Sequence, residues 1–346
     1  NFQHIVIADE AVCERLATPL PTDPPARLLL VRMPRISSEW MDTIVPPLGL
    51  AQLAAVAGRV GAETKLVDLA PLVPYDPSRS SADVDVDLLV STLLERCEGR
   101  SFDLLGLSVI DPSTWPIVEE LARRVRDVLA PRIVIGGVGA QPIDRTLVAA
   151  SRAIDWHVSS EGELAILALL RHVRTGEPLA EVPGLWDLHT GSEFLCVAPD
   201  LRLHPPPAFD GLDLSAYTSG KPRIRTPFLT YQFILGCPCR CAFCSAQSGQ
   251  NPRIRPLDRV VSDLRYLRDR HGVRDFMFLD NEINPWPRFV DEFLDAMEAA
   301  DLGIRWCDCA RPALLTDQQI DRLAGVGCQA LSWGIDTGSQ RMGDYV

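Results

Sequence analysis

The sequence predicts an α/β protein in two parts, a parallel doubly wound sheet followed by part of a (β/α) barrel. Three observations predict it. From residue 27 to 173 short apolar runs alternate with helical patterns; a second alternation runs from 228 to 335; and a Pro- and Asp-rich stretch without a clear period, residues 199–223, separates them. Near-continuous apolar strands are expected where helices cover both faces of a sheet. At 346 residues the chain is long enough for two or three domains, each burying its own core.

Taken in order, residues 1–26 form an N-terminal segment, Pro-rich toward its end, with 5–8 as its strand-like run. The first domain, residues 27–180, takes strands at 27–33, 64–68, 104–108, 132–136 and 154–158, with helices at 48–60, 83–97, 115–129, 145–151 and 163–173. Residues 181–225 read as a linker that opens with a hairpin, 184–187 against 193–197, in which His189 is a turn residue. The last part, 226–346, begins with a strand at 228–235 and continues with helix 257–271, strand 276–280, helix 286–300, strand 304–310, helix 316–326 and strand 329–335. These are the first four βα units of a barrel. Either the polypeptide continues past Val346 with two more units, or it is a truncated form whose open sheet edge needs a partner.

The most specific stretch is Leu235-Gly236-Cys237-Pro238-Cys239-Arg240-Cys241-Ala242-Phe243-Cys244. Cys237, Cys241 and Cys244 stand at C-x3-C-x2-C spacing directly after an apolar strand. Cysteine thiolates hold iron–sulfur clusters, and so short a run wraps a cluster only where the backbone is irregular, which Gly236 and Pro238 encourage. Three ligands on a four-iron cube leave one iron open. A zinc knuckle or a set of buried thiols are the alternatives; zinc wants a fourth ligand at finger-like spacing, and no His or Cys pair follows at that distance. Cys239, inside the motif, is a competing thiol.

With Phe243 just before its last cysteine, this motif resembles that of the radical S-adenosylmethionine enzymes. The resemblance implies a TIM-type radical SAM barrel, a [4Fe-4S] cluster on Cys237, Cys241 and Cys244, and S-adenosyl-L-methionine chelated at the open iron by its amino and carboxylate groups. It further implies reductive cleavage of the sulfonium to a 5′-deoxyadenosyl radical, with a flavodoxin or ferredoxin as electron donor. Phe243, Asp280, Asn281, Asp336 and Thr337 fall where that family holds S-adenosylmethionine. Here Gly334-Ile335-Asp336-Thr337 replaces the family's Gly-Ile-Glu-Ser, an acid one methylene shorter. Reactive groups in barrels lie at the carboxyl ends of strands, which singles out Asp280, Glu282 and Arg311 as catalytic candidates. Helix capping is the alternative for Asp280 and Asn281. Arg305, Cys307, Cys309 and Arg311 share one strand face, so a thiol there either donates a hydrogen atom or relays a proton near the substrate, or is a buried structural thiol.

In the first domain, ligands are expected beyond the carboxyl ends of the strands. Those ends carry Pro46-Pro47-Leu48-Gly49, Ser108 to Ser113, Gly136-Gly137-Val138 and Ser159-Ser160-Glu161-Gly162-Glu163. Gly136-Gly137 either lets the backbone approach something bulky or makes a tight strand-to-helix turn. The ordered set resembles the Rossmann-like (flavodoxin-like) cobalamin-binding domain that precedes the barrel in one branch of the same enzymes. By that resemblance Pro47, Leu48, Gly49, Ser108, Gly136, Gly137, Ser159, Glu161, Gly162 and Glu163 would bind cobalamin. No His lies between Arg32 and Asp42, where many cobalamin proteins supply an axial ligand. Asp155-Trp156-His157 imitates part of that motif on the last strand, where a His is more often satisfied locally. A dinucleotide fold would need Gly-x-Gly-x-x-Gly after the first strand, and no Gly follows Met33 until Gly49.

A net charge of −12 argues against nucleic acid, because phosphate contact needs clustered Lys and Arg. No apolar run approaches the ~18 residues of a membrane span, so no membrane partner is expected. The start lacks a basic region followed by an apolar one, and the ten cysteines read as reduced, which together suggest the cytoplasm. The sequence thus points to a cobalamin-dependent radical SAM methyltransferase acting on an unactivated carbon or phosphorus of a small biosynthetic intermediate. A rearrangement or ring-forming enzyme with the same cofactors, or a cofactor-binding module without turnover, are the other readings.

Overall fold

Alternation along the strands decides the architecture of the first unit. In β2 (Arg27–Arg32), Leu29 and Val31 join one apolar core while Leu28 and Leu30 join another, all at most 1% exposed. A strand whose two faces both need an apolar cover sits inside a sheet with helices on each side. The computed structural model describes residues 6–7, 10–21, 23–36, 44–74, 76, 78–159, 161–179, 184–188, 197–198, 201, 204–221, 223–239, 241, 244, 251–334 and 337–343. It divides into two compact units, Val6–Ala216 and Tyr217–Val346.

The first unit runs β1 (Val6–Ile7), α1 (Glu10–Leu16), β2, α2 (Leu48–Arg59), β3 (Glu63–Asp68), α3 (Val86–Cys97), β4 (Leu104–Ser108), α4 (Trp115–Val125), β5 (Ile133–Gly136), α5 (Arg145–Ala150), β6 (Trp156–Val158), α6 (Glu163–Thr175), β7 (Leu185–Asp187) and β8 (Val197–Ala198). Its main sheet has the order β3-β2-β4-β5-β6-β7, parallel except for β7. One core holds residues of α3, α4 and α5, the other residues of α1, α2 and α6. In α4, Ile117, Val118, Leu121, Ala122 and Val125 form the buried stripe that helical spacing requires. Strand order reverses at β2 and β4, so the crevice for a ligand opens beyond their carboxyl ends.

The turn of the expected linker hairpin and most of its second arm, residues 189–196, lie outside the described residues. β7 pairs antiparallel with β6, and β8 pairs in parallel with β1. The physical reason is the free edge of β6: covering it satisfies that edge and takes Leu185 completely out of solvent. The junction between units falls after Ala216, inside the expected stretch 199–223, and residues 204–212 of that stretch fold onto α2. Ala208 N donates to Ala51 O (2.9 Å), Gln52 Nε2 donates to Pro205 O (3.2 Å), and Phe209 is 1% exposed. His189 lies outside the described residues.

Asp155 shows what the Asp-Trp-His run is for. Its carboxylate is fully buried and accepts from Arg126 Nη1 (2.9 Å) and Nη2 (3.0 Å), Arg132 Nη1 (3.0 Å) and Ile133 N (2.8 Å), fixing the start of β5 beside β6. His157, also fully buried, packs its ring 6.4 Å from that of Trp186.

The second unit runs β9 (Phe228–Tyr231), β10 (Ile234–Leu235), β11 (Arg253–Ile254), α7 (Leu257–His271), β12 (Asp275–Phe278), α8 (Pro287–Ala300), β13 (Arg305–Cys309), α9 (Asp317–Gly325), β14 (Cys328–Ser332) and α10 (Gln340–Gly343). Four parallel strands in the order β14-β13-β12-β9, each followed by a helix, make the arc of a barrel. Phe233, Phe278, Phe293 and Trp306 form its aromatic core, with ring centroids 5.0–5.7 Å apart in each contact.

Removing the Asp155 carboxylate strands two guanidinium groups and a strand-edge amide, a loss on the order of 3 kcal/mol for a broken buried pair. Asp155→Ala is therefore expected to lower the urea midpoint of the first unit, while the isosteric Asp155→Asn recovers part of the loss. A midpoint unchanged in both variants would contradict this account.

Candidate functional site

The cysteine loop hangs from a closed neck. The strand expected over 228–235 is in fact two strands: β9 ends at Tyr231, and β10 turns away to pair antiparallel with β11. The turning force is a carboxylate. Asp280 Oδ1 accepts from both Phe233 N (3.0 Å) and Ile234 N (2.8 Å), drawing the chain out of the barrel sheet. On the return side, Arg255 N donates to Phe233 O (2.9 Å), and the buried Arg255 guanidinium pairs with Asp263 of α7. Tyr231 OH donates to the same Asp263 carboxylate (2.9 Å). Burial pushes the Asp263 carboxyl and the Tyr231 phenol up from their ordinary ranges.

From this neck the chain turns at Gly236, whose φ of 96° is open to glycine and strained for any other residue. Cys237 follows. Its thiol donates to Glu282 Oε1 (3.2 Å), and Glu282 Oε2 pairs with the Arg311 guanidinium. Arg311 is held in turn: Nη2 donates to Pro285 O (2.9 Å), its N–H donates to Asn284 Oδ1 (2.9 Å), and Asn284 Nδ2 donates back to Arg311 O (2.7 Å). Two predicted catalytic residues, Glu282 and Arg311, are thus brought together with a predicted metal ligand. Burial pushes the Cys237 thiol up to about 12, and the Glu282 contact adds to that. Metal binding at this sulfur must therefore displace a proton.

Cys239 lies closer to Cys237 than the motif spacing implies. Donor atoms of Cys237, Cys239 and Glu282 fall within 4.8 Å of one another, and Cys239 N donates to Cys237 Sγ (3.4 Å). Cys241 is half-buried and Cys244 exposed, with Cys244 N donating to Cys241 O (3.1 Å). All nine described cysteines are free thiols. Sulfur donors on an irregular loop held at its neck are the chemistry an iron–sulfur cluster requires. Phe243 and Asp336, assigned to S-adenosylmethionine by resemblance, lie outside the described residues. Asn281 is exposed and Thr337 half-buried.

Asp280 does not take the capping role open to it in the sequence. It is 3% exposed, spends one oxygen on the β10 amides, and lies well before α8, whose capping position is Trp286. Cys307 is 2% exposed and Cys309 exposed; near them Lys221 Nζ donates to Ser332 Oγ (2.8 Å). Sequence reasoning passed over Asp308, buried between these thiols, although an ionisable residue in mid-strand was a readable signal.

In the first unit the carboxyl ends of the strands gather the predicted loop residues. Pro47 precedes α2, Ser108 ends β4, Gly136 ends β5, and Gly162 precedes α6. A Cβ on Gly49 would meet nothing within 4 Å, so the start of α2 faces open space. Gly137 approaches the chain itself: a Cβ there would lie 2.6 Å from Val109 O, and φ is +95°. The neighbouring Gly139 is tighter, 2.4 Å from Ile110 C. Ser159 Oγ donates to Gly184 O (3.2 Å), which ties it to the β7 turn; Glu161, Gly162 and Glu163 are half-buried, and Ser160 lies outside the described residues. Two anchors escaped the sequence reading. Arg32 and Asp68, at the ends of β2 and β3, form a buried bidentate pair (2.9 and 2.5 Å), and buried Asp111 accepts from Ile36 N (3.0 Å) and Ser113 N (2.9 Å). The open space at Gly49 leaves room at the start of α2 for a ligand, where the resemblance expects cobalamin.

Comparison with known proteins agrees with this geometry. Residues 231–346 match the Radical SAM superfamily. Cytidylyl-2-hydroxyethylphosphonate methyltransferase of Streptomyces wedmorensis is 24% identical over 336 residues, 86% of this chain and 62% of the relative. Anaerobic magnesium-protoporphyrin IX monomethyl ester cyclase of Rubrivivax gelatinosus is 25% identical over 238 residues, 64% of this chain and 41% of that one. Among solved structures, the radical S-adenosylmethionine methyltransferase TsrM from Kitasatospora setae, with cobalamin and [4Fe-4S] cluster bound, superposes with a TM-score of 0.66 at 21% identity, covering 90% of this chain and 59% of that one. The match to the Radical SAM superfamily covers the last third of the chain, and the fold of the chain is shared with TsrM. The chain spans about two fifths to three fifths of the length of these proteins. No described helix is long and apolar enough to cross a membrane.

Cluster assignment within the loop is checked by iron and sulfide content after anaerobic reconstitution. Cys241→Ala is expected to lose the cluster and all turnover, whereas Cys239→Ala keeps wild-type iron. The reverse pattern would hand the third ligand to Cys239.

Proposed function

We propose that this chain is the cofactor-bearing portion of a cobalamin-dependent radical SAM methyltransferase that methylates an unactivated carbon or phosphorus of a small biosynthetic intermediate. The observation that carries the proposal is the thiol loop of Cys237, Cys241 and Cys244, held at a closed neck on the first barrel strand, in a chain that also bears a doubly wound domain with an open loop rim. In this reading the three thiols hold the cluster, and Pro47, Leu48, Gly49, Ser108, Gly136, Gly137, Ser159, Glu161, Gly162 and Glu163 line the cobalamin rim. When bound, the cluster and S-adenosylmethionine supply one-electron chemistry and cobalamin supplies methyl transfer.

The chain's own residues bind, orient and exclude water. Glu282 takes the proton that Cys237 gives up on ligation, and Arg311 holds that carboxylate in place so that it stays aimed at the loop. Asn281 and Thr337, with Phe243 and Asp336, are the residues assigned to S-adenosylmethionine. A flavodoxin or ferredoxin would deliver the electron, and reduced thiols suit a cytoplasmic setting. Tied by burial and hydrogen bonds, Asp280 is assigned to positioning and not to proton transfer with substrate.

The cyclase relative supports a second reading, a ring-forming reaction with the same cofactors. Isotope separates the two. With S-adenosylmethionine labelled in its methyl group, the methyltransferase reading expects label in the product and formation of S-adenosylhomocysteine. Product that forms without label would refute it in favour of cyclisation, and an intact cluster with neither product nor 5′-deoxyadenosine would favour a binding module.

A further inference from the structure

Asp280 and Asp308 lie at the carboxyl ends of the adjacent strands β12 and β13, 3% and 4% exposed. Each has one oxygen in use: Asp280 Oδ1 takes the amides of Phe233 and Ile234, and Asp308 Oδ1 accepts from Cys309 N (2.8 Å). The remaining oxygens, Oδ2 of both residues, are buried without a donor among the described residues, and the two carboxyls face each other. Two carboxylates in such a site do not both ionise, since like charges at short range in a dry interior repel strongly. One hydrogen placed between them satisfies both orphaned acceptors at once.

We infer that Asp280 and Asp308 share a single proton, carried on Asp308 Oδ2 and donated to Asp280 Oδ2, and that this pair is the positioning device that holds β10 in register for the cysteine loop. Asp280 keeps its charge for the two amides, which bind an anion best, while Asp308 supplies the donor that makes the anion tolerable in the interior. The shared proton does not depend on what the loop carries; its importance for the loop rests on the cluster reading.

The direction of the titration agrees. Burial pushes both carboxyls up, and the pull of two amides on Asp280 together with the Asp280 charge beside Asp308 leaves the proton on Asp308. Burial raises Cys307 and Cys328 to about 12 and raises Cys309 and Tyr231 as well, and Lys221 rests on Ser332. An unfolded chain releases carboxyl protons near pH 4. The folded chain keeps one more, so its stability falls as pH rises from there toward the raised value, by up to about tenfold in the unfolding constant per pH unit.

The test uses the full chain, reconstituted anaerobically and unfolded in urea at a series of pH values between about 6 and 8, with infrared spectra and iron content of the same samples. Asp308→Asn supplies a donor that does not titrate. It is expected to flatten the pH dependence of the unfolding constant by up to about tenfold per pH unit, to abolish the infrared carbonyl band of a protonated carboxyl group, and to keep wild-type iron. Asp308→Ala, which leaves Asp280 without a donor, is expected to retain less iron than Asp308→Asn. A wild-type slope and band in Asp308→Asn would overturn the shared proton, and equal iron in the Ala and Asn variants would overturn the positioning role. Should Asp308→Asn not fold, Asp280→Asn serves the same purpose, because its carbonyl still accepts the two amides while its amide donates to Asp308. If wild-type protein takes up no iron, the cluster reading fails, yet the slope and the band still decide whether the proton is there.

Discussion

One carboxylate diverts the chain on which the chemistry depends. Left to strand propensity, Phe228 through Leu235 would continue as a single extended element, as the apolar run suggests. The two amides bound by Asp280 oxygen end the barrel strand at Tyr231 and start a second, antiparallel pairing with β11. Hydrogen bonds to a charged acceptor are each worth about 2 kcal/mol, whereas an unpaired buried carboxylate costs several. The arrangement holds because Asp308 faces the same group. Everything further along, the turn at Gly236, the thiols and the Glu282–Arg311 pair, starts from that diversion.

The doubly wound unit obeys a different constraint. Its strands feed side chains alternately into two apolar cores, so the polar work falls to strand ends, where Arg32 pairs with Asp68, Asp111 ties two loops together and Asp155 joins β5 to β6. These are buried, well-partnered ions on the scaffold beneath the loops.

Much of this was legible in the sequence. Apolar periodicity located the strands and helices of both units, because burial on two faces leaves a period that few other structures share. The thiol spacing identified the loop, since ligand geometry acts over neighbouring residues. What the sequence hid was long-range pairing. Nothing near Asp280 announces that it binds amides of residues 233 and 234, and Asp308 reads as one polar residue in an otherwise half-apolar strand. Of the two readings open for Gly137, its close approach to Val109 shows the tight turn. The pairing of β7 with β6 was hidden because β6 lies far back in the chain.

The neck beneath the thiols is fastened by protein alone: the β10–β11 pairing, the Arg255–Asp263–Tyr231 group and the Asp280 clasp. None of these fastenings uses sulfur. A frame fastened this way keeps its shape whatever the thiols carry, so loading and unloading the loop need not cost the polypeptide its fold.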